Sequence, residues 1–212
     1  MSRYIYDIIS AGEHQQLDFK FEIKDSRKIA RTLVAFSNTD GGKLLIGVKD
    51  NGKIAGVSSE EEIHMLEGAA ELYCSPSINL NFKTWIVEGK TIVEADITEG
   101  NQKPYYCLEE NGKRLAWFRQ DDENHLANIV MLEVWKNKNM DRNILLHFSE
   151  KESFLLNYLN VVESITIQDF CRIAGIKRKA AVAILSKLIS FGLIRYKYSE
   201  GEFYYSVSEF EK

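Results

Sequence analysis

Between Leu17 and Val48 the hydrophobic period changes twice, and that succession restricts the fold more than any other stretch of the chain. Leu17-Asp18-Phe19-Lys20-Phe21-Glu22-Ile23-Lys24 alternates apolar and polar residues. Period two predicts a strand with Leu17, Phe19, Phe21 and Ile23 on a buried face and Asp18 and Lys20 on a wet one. Asp25 or Ser26 then offers an N-cap, and Ile29, Leu33, Val34 and Phe36 recur at helical spacing. Gly41-Gly42 ends that helix, because glycine enters the left-handed region without a Cβ clash. Leu44-Leu45-Ile46-Gly47-Val48 follows as a short buried strand. Strand, helix and strand in immediate succession predict an α+β fold with a mixed sheet carrying helices.

The next residues extend the same pattern. Asn51-Gly52 favours a type I′ hairpin returning through Ile54 to Val57. Ser58 and Ser59, with Glu60, Glu61 and Glu62, start a helix that runs to about Cys74. Strands are expected near Ile78–Val87 and Thr91–Ile97, and a hairpin is expected to join Pro104–Leu108 to Leu115–Arg119 across Asn111-Gly112. A helix from about Glu123 to Trp135 is expected to close this unit. The polar stretch from Lys136 to Asn143 is the best linker, so the expected organisation is a domain over 1–136, a linker over 137–147 and a small domain over 148–212.

The last third has a different rhythm. Phe154, Leu155, Tyr158 and Leu159 mark one helix, Ile165 a strand-like step, and Thr166-Ile167-Gln168-Asp169 a capping box with Asp in place of Glu. A second helix ends near Gly175, a third spans Lys177 to Phe191, and two aromatic strands follow around Ser199-Glu200-Gly201-Glu202. This is the order of a winged helix-turn-helix, in which the third helix enters the major groove with its N-terminal end nearest the DNA. That end reads Lys177-Arg178-Lys179. Lys179, Ala183, Ser186 and Ser190 form a stripe opposite Ala181, Leu185 and Leu188, and their small side chains allow close approach to bases. Lys187, Arg195 and Lys197 complete a candidate nucleic-acid-binding set of Lys177, Arg178, Lys179, Ser186, Lys187, Arg195 and Lys197.

Charge agrees locally although not globally. The 212 residues carry 27 Lys+Arg against 31 Asp+Glu, a formal net charge of −4, which excludes a chain that coats nucleic acid by bulk charge. Residues 163–199, however, hold seven cations against Glu163 and Asp169 alone. A basic patch in an acidic chain is the footprint of a focused nucleic-acid contact. Winged helices also serve as docking or dimerisation modules, and the acidic Glu200 and Glu202 at the expected wing tip fit that alternative.

Other chemistries find little support. Cys74, Cys107 and Cys171 are far apart, with no Cys-x-x-Cys pair, and are expected to be reduced and buried; a zinc cage needs four converging ligands. No Gly-x-Ser-x-Gly accompanies the four histidines, and Gly42-Lys43 precedes a strand rather than a helix, unlike a phosphate loop. Trp85, Trp117 and Trp135 are expected in the core. The N-terminus lacks a signal-type apolar region and no apolar run is long enough to span a bilayer, so the expected location is cytoplasmic with no membrane partner.

Glu13, Leu17-Asp18-Phe19-Lys20, and the block Ala35-Phe36-Ser37-Asn38-Thr39-Asp40-Gly41-Gly42-Lys43-Leu44-Leu45-Ile46-Gly47-Val48-Lys49-Asp50-Asn51-Gly52 resemble the Schlafen AlbA-type domain. Lys103-Pro104-Tyr105-Tyr106 and Trp117-Phe118-Arg119 are similar to the closing strands of that family, so the resemblance spans residues 5–135. Some such domains were once grouped with divergent ATPases, and in bacteria they commonly precede a winged helix. The resemblance therefore implies a transcriptional regulator that binds double-stranded DNA, its N-terminal domain supplying oligomerisation, sensing or additional nucleic-acid contact; no cofactor is expected, and the two-fold symmetry common among helix-turn-helix proteins makes a homodimer the expectation. It also implies an alternative: eukaryotic relatives cleave RNA with a divalent metal on three carboxylates, whose positions here are Glu13, Asp18 and Asp50, with Mg or Mn as the ion.

Overall fold

The computed structural model describes residues 2–137 and 148–208, and the chain divides into two compact units, Met1–Ala127 and Asn128–Lys212. Apart from Asn137, the expected linker over 137–147 lies outside the described residues.

The first unit opens with helix α1 (Ser2–Ala11), strand β1 (Leu17–Lys20), helix α2 (Ser26–Asn38) and strand β2 (Gly42–Ile46). Asp25 caps α2, its side chain accepting the amides of Arg27 and Lys28. β1 and β2 pair in parallel with Asp18 opposite Leu44, so α2 is their crossover. Helix α3 (Ser59–Leu72) and the short β3 (Cys74–Ser75) lead to the hairpin of β4 (Leu80–Val87) and β5 (Lys90–Ile97). The sheet order is β1-β2-β5-β4. β6 (Tyr106–Leu108) joins β3 and β7 (Arg114–Leu115) in a second sheet, and β8 (Trp117–Gln120) pairs with β9 (Glu123–Leu126).

Both faces of the main sheet are covered. Leu44, Ile46, Val93 and Ala95 pack with Ile29, Leu33, Phe36 and Leu66 of α2 and α3. Leu17, Phe19, Leu45 and Ile92 pack with Ile5 of α1 on the other side. Each buried Leu, Ile, Val or Phe among them contributes about 1.5–3 kcal/mol.

Several expectations change in this unit. β1 stops at Lys20, and Phe21 is 44% exposed with Lys49 over its ring. Asp18 is not on a wet face: it is 3% exposed, because Arg119 from β8 lies against that side of the strand. The Asn51-Gly52 turn is not type I′, which needs two positive φ values; only Gly52 has one. Its amide donates to Lys49 O at 2.7 Å, and Asn51 Oδ1 accepts the Lys53 amide. Asn111-Gly112 repeats this arrangement, with the Gly112 amide on Glu109 O and Asn111 Oδ1 accepting from Lys113. Among the described residues of this unit, a two-residue hairpin turn with both φ positive is Glu88-Gly89, between β4 and β5. The helix expected over Glu123–Trp135 begins instead as strand β9, which pairs His125 with Phe118. Asn128 then caps a shorter helix by accepting the Met131 amide.

That helix, α4 (Ile129–Lys136), belongs to the second unit, where it packs against α7 (Arg178–Ser190). The units therefore part at 127/128, whereas polarity along the sequence draws the line after 136. Between α4 and α7 come α5 (Glu150–Leu159), β10 (Ile165–Thr166) and α6 (Ile167–Ala174); β11 (Ile194–Ser199) and β12 (Glu202–Val207) follow. The three strands form an antiparallel sheet in the order β10-β12-β11. Phe170, Leu155, Ala181, Leu185, Leu188, Ile194 and Tyr205 make one core beneath it. Thr166 caps α6 as expected, accepting the Asp169 amide, while its hydroxyl donates to Asp169 Oδ2 at 2.8 Å. Among the described residues no helix is long and apolar enough to cross a membrane.

Candidate nucleic-acid interface

The turn between α6 and α7 sets the geometry of the interface. Gly175 takes φ +61°, and the Ile176 amide reaches back to Cys171 O at 3.1 Å. This left-handed step suits glycine and lets α7 start at once. Lys177 is its N-cap residue and supplies no side-chain cap, so the first-turn amides have no side-chain acceptor. Lys177, Arg178 and Lys179 are all exposed there, and among the described residues none forms an ion pair. Cations beside an uncapped helix N-terminus combine full charge with aligned amide dipoles, the arrangement that binds phosphate.

The other expected contact residues separate. Ser186 is 2% exposed, and its hydroxyl donates to Ala183 O at 3.2 Å, so it cannot meet a base. Within the stripe Ser186 is buried and Ser190 half-buried, and the exposed residues of α7 are Arg178, Lys179, Ala180 and Ala183. Lys187 is tied to α5: its Nζ lies 2.9 Å from Glu152 Oε1. Burial would raise the Glu152 carboxyl, but hydrogen bonds from Lys187 and from Ser149 outweigh it and hold the group below its ordinary range. Arg195 and Lys197 alternate with Ile194 and Tyr196, which join the core beneath the helices. Successive strand residues point to opposite faces, so these two cations stand on the outer face, beside Ser206 and Tyr204. There they border a groove of about 1060 Å3 that also holds Glu163 and Glu200.

In the first unit Glu13 and Asp18 are brought together, and Asp50 is not. Glu13 Oε1 accepts the Phe19 amide at 2.8 Å. Burial and the neighbouring Asp18 carboxylate push the Glu13 carboxyl upward. Asp18 Oδ2 lies 2.8 Å from Lys20 Nζ, and Oδ1 lies 3.5 Å from Arg119 Nη2. Asp50 is exposed in the turn after β2. Among the described residues no three His, Cys, Asp or Glu side chains form a group that could hold a metal ion. In this arrangement the Lys20 ammonium is the cation that faces the Asp18 carboxylate, and Asp50 stands apart in its turn.

Sequence reasoning missed the fully buried Arg119, which anchors this corner. Its guanidinium donates to His14 O and to Leu17 O at 2.9 Å, and stacks 4.7 Å from the Phe36 ring centre. The conspicuous Asn38-Thr39-Asp40-Gly41-Gly42 block is architectural in the same way. Asn38, 2% exposed, donates to Tyr105 O and Trp117 O and accepts the Tyr105 amide at 2.7 Å. Thr39 Oγ1 accepts the Arg119 amide. A Cβ on Gly41 would lie 2.6 Å from Ile97 O, and one on Gly42 2.7 Å from Gln16 O.

Fold and site together define a mixed α+β domain, built around an Asn-Thr-x-Gly-Gly corner, that precedes a helix–turn–helix–hairpin unit with a basic helix start. The family model described as Schlafen, AlbA_2 matches residues 13–128, more than half of the chain, and the chain belongs to that family. No curated protein matches the sequence. Solved structures similar to the chain include the DIP2311 protein from Corynebacterium diphtheriae, at 16% identity and a TM-score of 0.46 over 69% of this chain and 30% of that one. Another is the N-terminal domain of a RecG-related protein from Nitrosomonas europaea, named for an ATP-dependent DNA helicase. Its identity is 19% and its TM-score 0.44, over 69% of this chain and 97% of that one. The chain thus spans under a third of the Corynebacterium protein, and neither likeness carries functional weight.

Proposed function

We propose that the second unit is a winged helix that binds double-stranded DNA through the start of α7, and that the protein is a DNA-binding transcriptional regulator. In this reading the AlbA_2 domain supplies oligomerisation, sensing or additional nucleic-acid contact, and two copies read two half-sites as a homodimer. The observation that carries the reading is the exposed trio Lys177, Arg178 and Lys179 at an uncapped helix N-terminus just after a left-handed glycine turn. The strand order β10-β12-β11 beneath α5, α6 and α7 supports it.

Phosphate contact is read from salt dependence. Wild-type affinity for duplex DNA is expected to fall steeply between low and moderate salt. Replacing Lys177, Arg178 and Lys179 by Ala is expected to flatten the plot of log affinity against log salt by about 0.9 per lost phosphate contact. Fluorescence anisotropy over a salt series measures both. An unchanged slope in the triple variant defeats this reading, as does equal preference for single-stranded RNA.

A further inference from the structure

Cys74 and Cys107 are separated by two strands and a loop in sequence, yet they stand directly opposite each other where β3 pairs with β6. The Leu108 amide donates to Tyr73 O at 2.8 Å, so Tyr73 and Leu108 occupy a hydrogen-bonded position of this antiparallel ladder. The next pair along, Cys74 and Cys107, is then a non-hydrogen-bonded pair, with Cα atoms about 4.5 Å apart and side chains on one face. A disulfide needs a Cα separation of about 4.4–6.8 Å. Both thiols also point at the same helix: Cys74 Sγ lies 3.8 Å from Ala30 O and Cys107 Sγ 3.7 Å from Arg27 O, one turn apart on α2.

We propose that Cys74 and Cys107 are a redox-modification site, a cross-strand dithiol that a peroxide closes to an intramolecular disulfide. Cys107 attacks first. Burial pushes its thiol up to about 11, with Glu109 adding to the rise and Arg31 and Arg27 opposing it. Burial raises Cys74 further still. The Cys107 thiolate attacks one peroxide oxygen and breaks the O–O bond; the leaving oxygen takes up the thiol proton and departs as water, leaving a sulfenic acid. Cys74 sulfur then attacks the Cys107 sulfur, and its proton leaves with the hydroxyl as a second water. Two thiols lose two electrons and two protons, and one peroxide takes them up to become two waters.

Register favours the product, whereas burial sets the rate. The thiolate form is scarce at neutral pH, and Cys107 is fully buried, so a small oxidant must enter as the ladder opens. That opening is local, because β3 is a two-residue strand at the edge of its sheet. Cys171, half-buried in the second unit, serves as the internal comparison. It is expected to be alkylated faster in the native protein and to form no bridge with either of the others.

The test uses the full chain treated with hydrogen peroxide under native conditions, then denatured, alkylated and mapped without reduction. The expected result is one peptide pair joining Cys74 to Cys107, lighter by two hydrogen atoms than the reduced pair and restored by dithiothreitol. Cys171 is expected to be recovered outside any bridge. In Cys74→Ser the same treatment is expected to leave Cys107 as a sulfenic acid that a cyclic diketone traps. Recovery of Cys74 and Cys107 as free thiols or as sulfinic acids, or bridged to Cys171 or to a second chain, overturns the proposal. The wild-type map decides even where the variant fails to fold.

Discussion

Asn38 shows how much of this fold hangs on one side chain. Its amide closes three hydrogen bonds to the backbone of residues 105 and 117, the two to Tyr105 buried and the one to Trp117 O partly buried. Asn38→Ala removes the partner of two carbonyls and one amide, each costing about 1–3 kcal/mol when left buried and unpaired. A loss of about 3 kcal/mol or more in urea unfolding of the first unit is expected, with the denaturant slope unchanged. A midpoint within experimental error of wild type would show that water reaches the site. Gly41 is equally constrained: its φ of +66° and backbone atoms of Ile97 and Glu99 within 2.7 Å of a Cβ leave no room for Gly41→Ala. The block that reads in sequence as a helix stop is thus a helix stop and a clamp at once. Period and turn chemistry reveal the first role. The second depends on residues more than fifty positions away, and local pattern carries no trace of them. Asp18 was misread for the same reason, since nothing near it in sequence announces Arg119.

At the scale of elements, hydrophobic period located most helices and strands from Leu17 onward, while α1 and the two-residue β3 went unread; other failures came where a tertiary partner chose between two local options. Glu123–Leu126 has no glycine or proline to separate it from the apolar run that follows, so it reads as helix; pairing with β8 makes it a strand. In the second unit the junction of α5 with α7 was invisible, because it needs Glu152 and Lys187 to meet across the core. Ser149 and Glu152 also form a full capping box, the Ser149 amide on Glu152 Oε2 at 2.7 Å. The lowered Glu152 carboxyl fixes the sign of a pH effect. A folded-state acid that ionises more readily than in the unfolded chain contributes stability above the unfolded value, and loses it as pH falls through the folded one. Glu152→Gln is therefore expected to destabilise the second unit at neutral pH by about 1 kcal/mol, a modest figure because Lys187 is one-third exposed. The gap between variant and wild type is expected to close as pH drops below the ordinary carboxylate range. Thermal midpoints across a pH series measure it, and a gap that stays constant would assign the loss to packing instead.

For the whole molecule, the net charge of −4 is an average over surfaces with different tasks. Counting cations along the sequence finds the basic stretch from Arg172 to Lys197 but treats it as one patch. The fold sorts it into four: Arg172 paired with Asp169, the exposed trio at the start of α7, Lys187 held by Glu152, and Arg195 with Lys197 on the outer face of the sheet. Period-two alternation of Ile194, Arg195, Tyr196 and Lys197 already hinted at the last separation. A duplex lying against α7 meets the trio first, whereas the outer sheet face is turned away from the core that α7 helps to form, and its groove carries Glu163 and Glu200 beside the two cations. The double variant Arg195→Ala, Lys197→Ala is accordingly expected to retain duplex affinity and to flatten the salt slope by less than the about 0.9 that one phosphate contact contributes. The α7 triple variant is expected to lose several times more. If the double variant flattens the slope as much as the triple one, DNA runs over the outer sheet face, and the sequence-level patch describes the contact surface better than the helix start does.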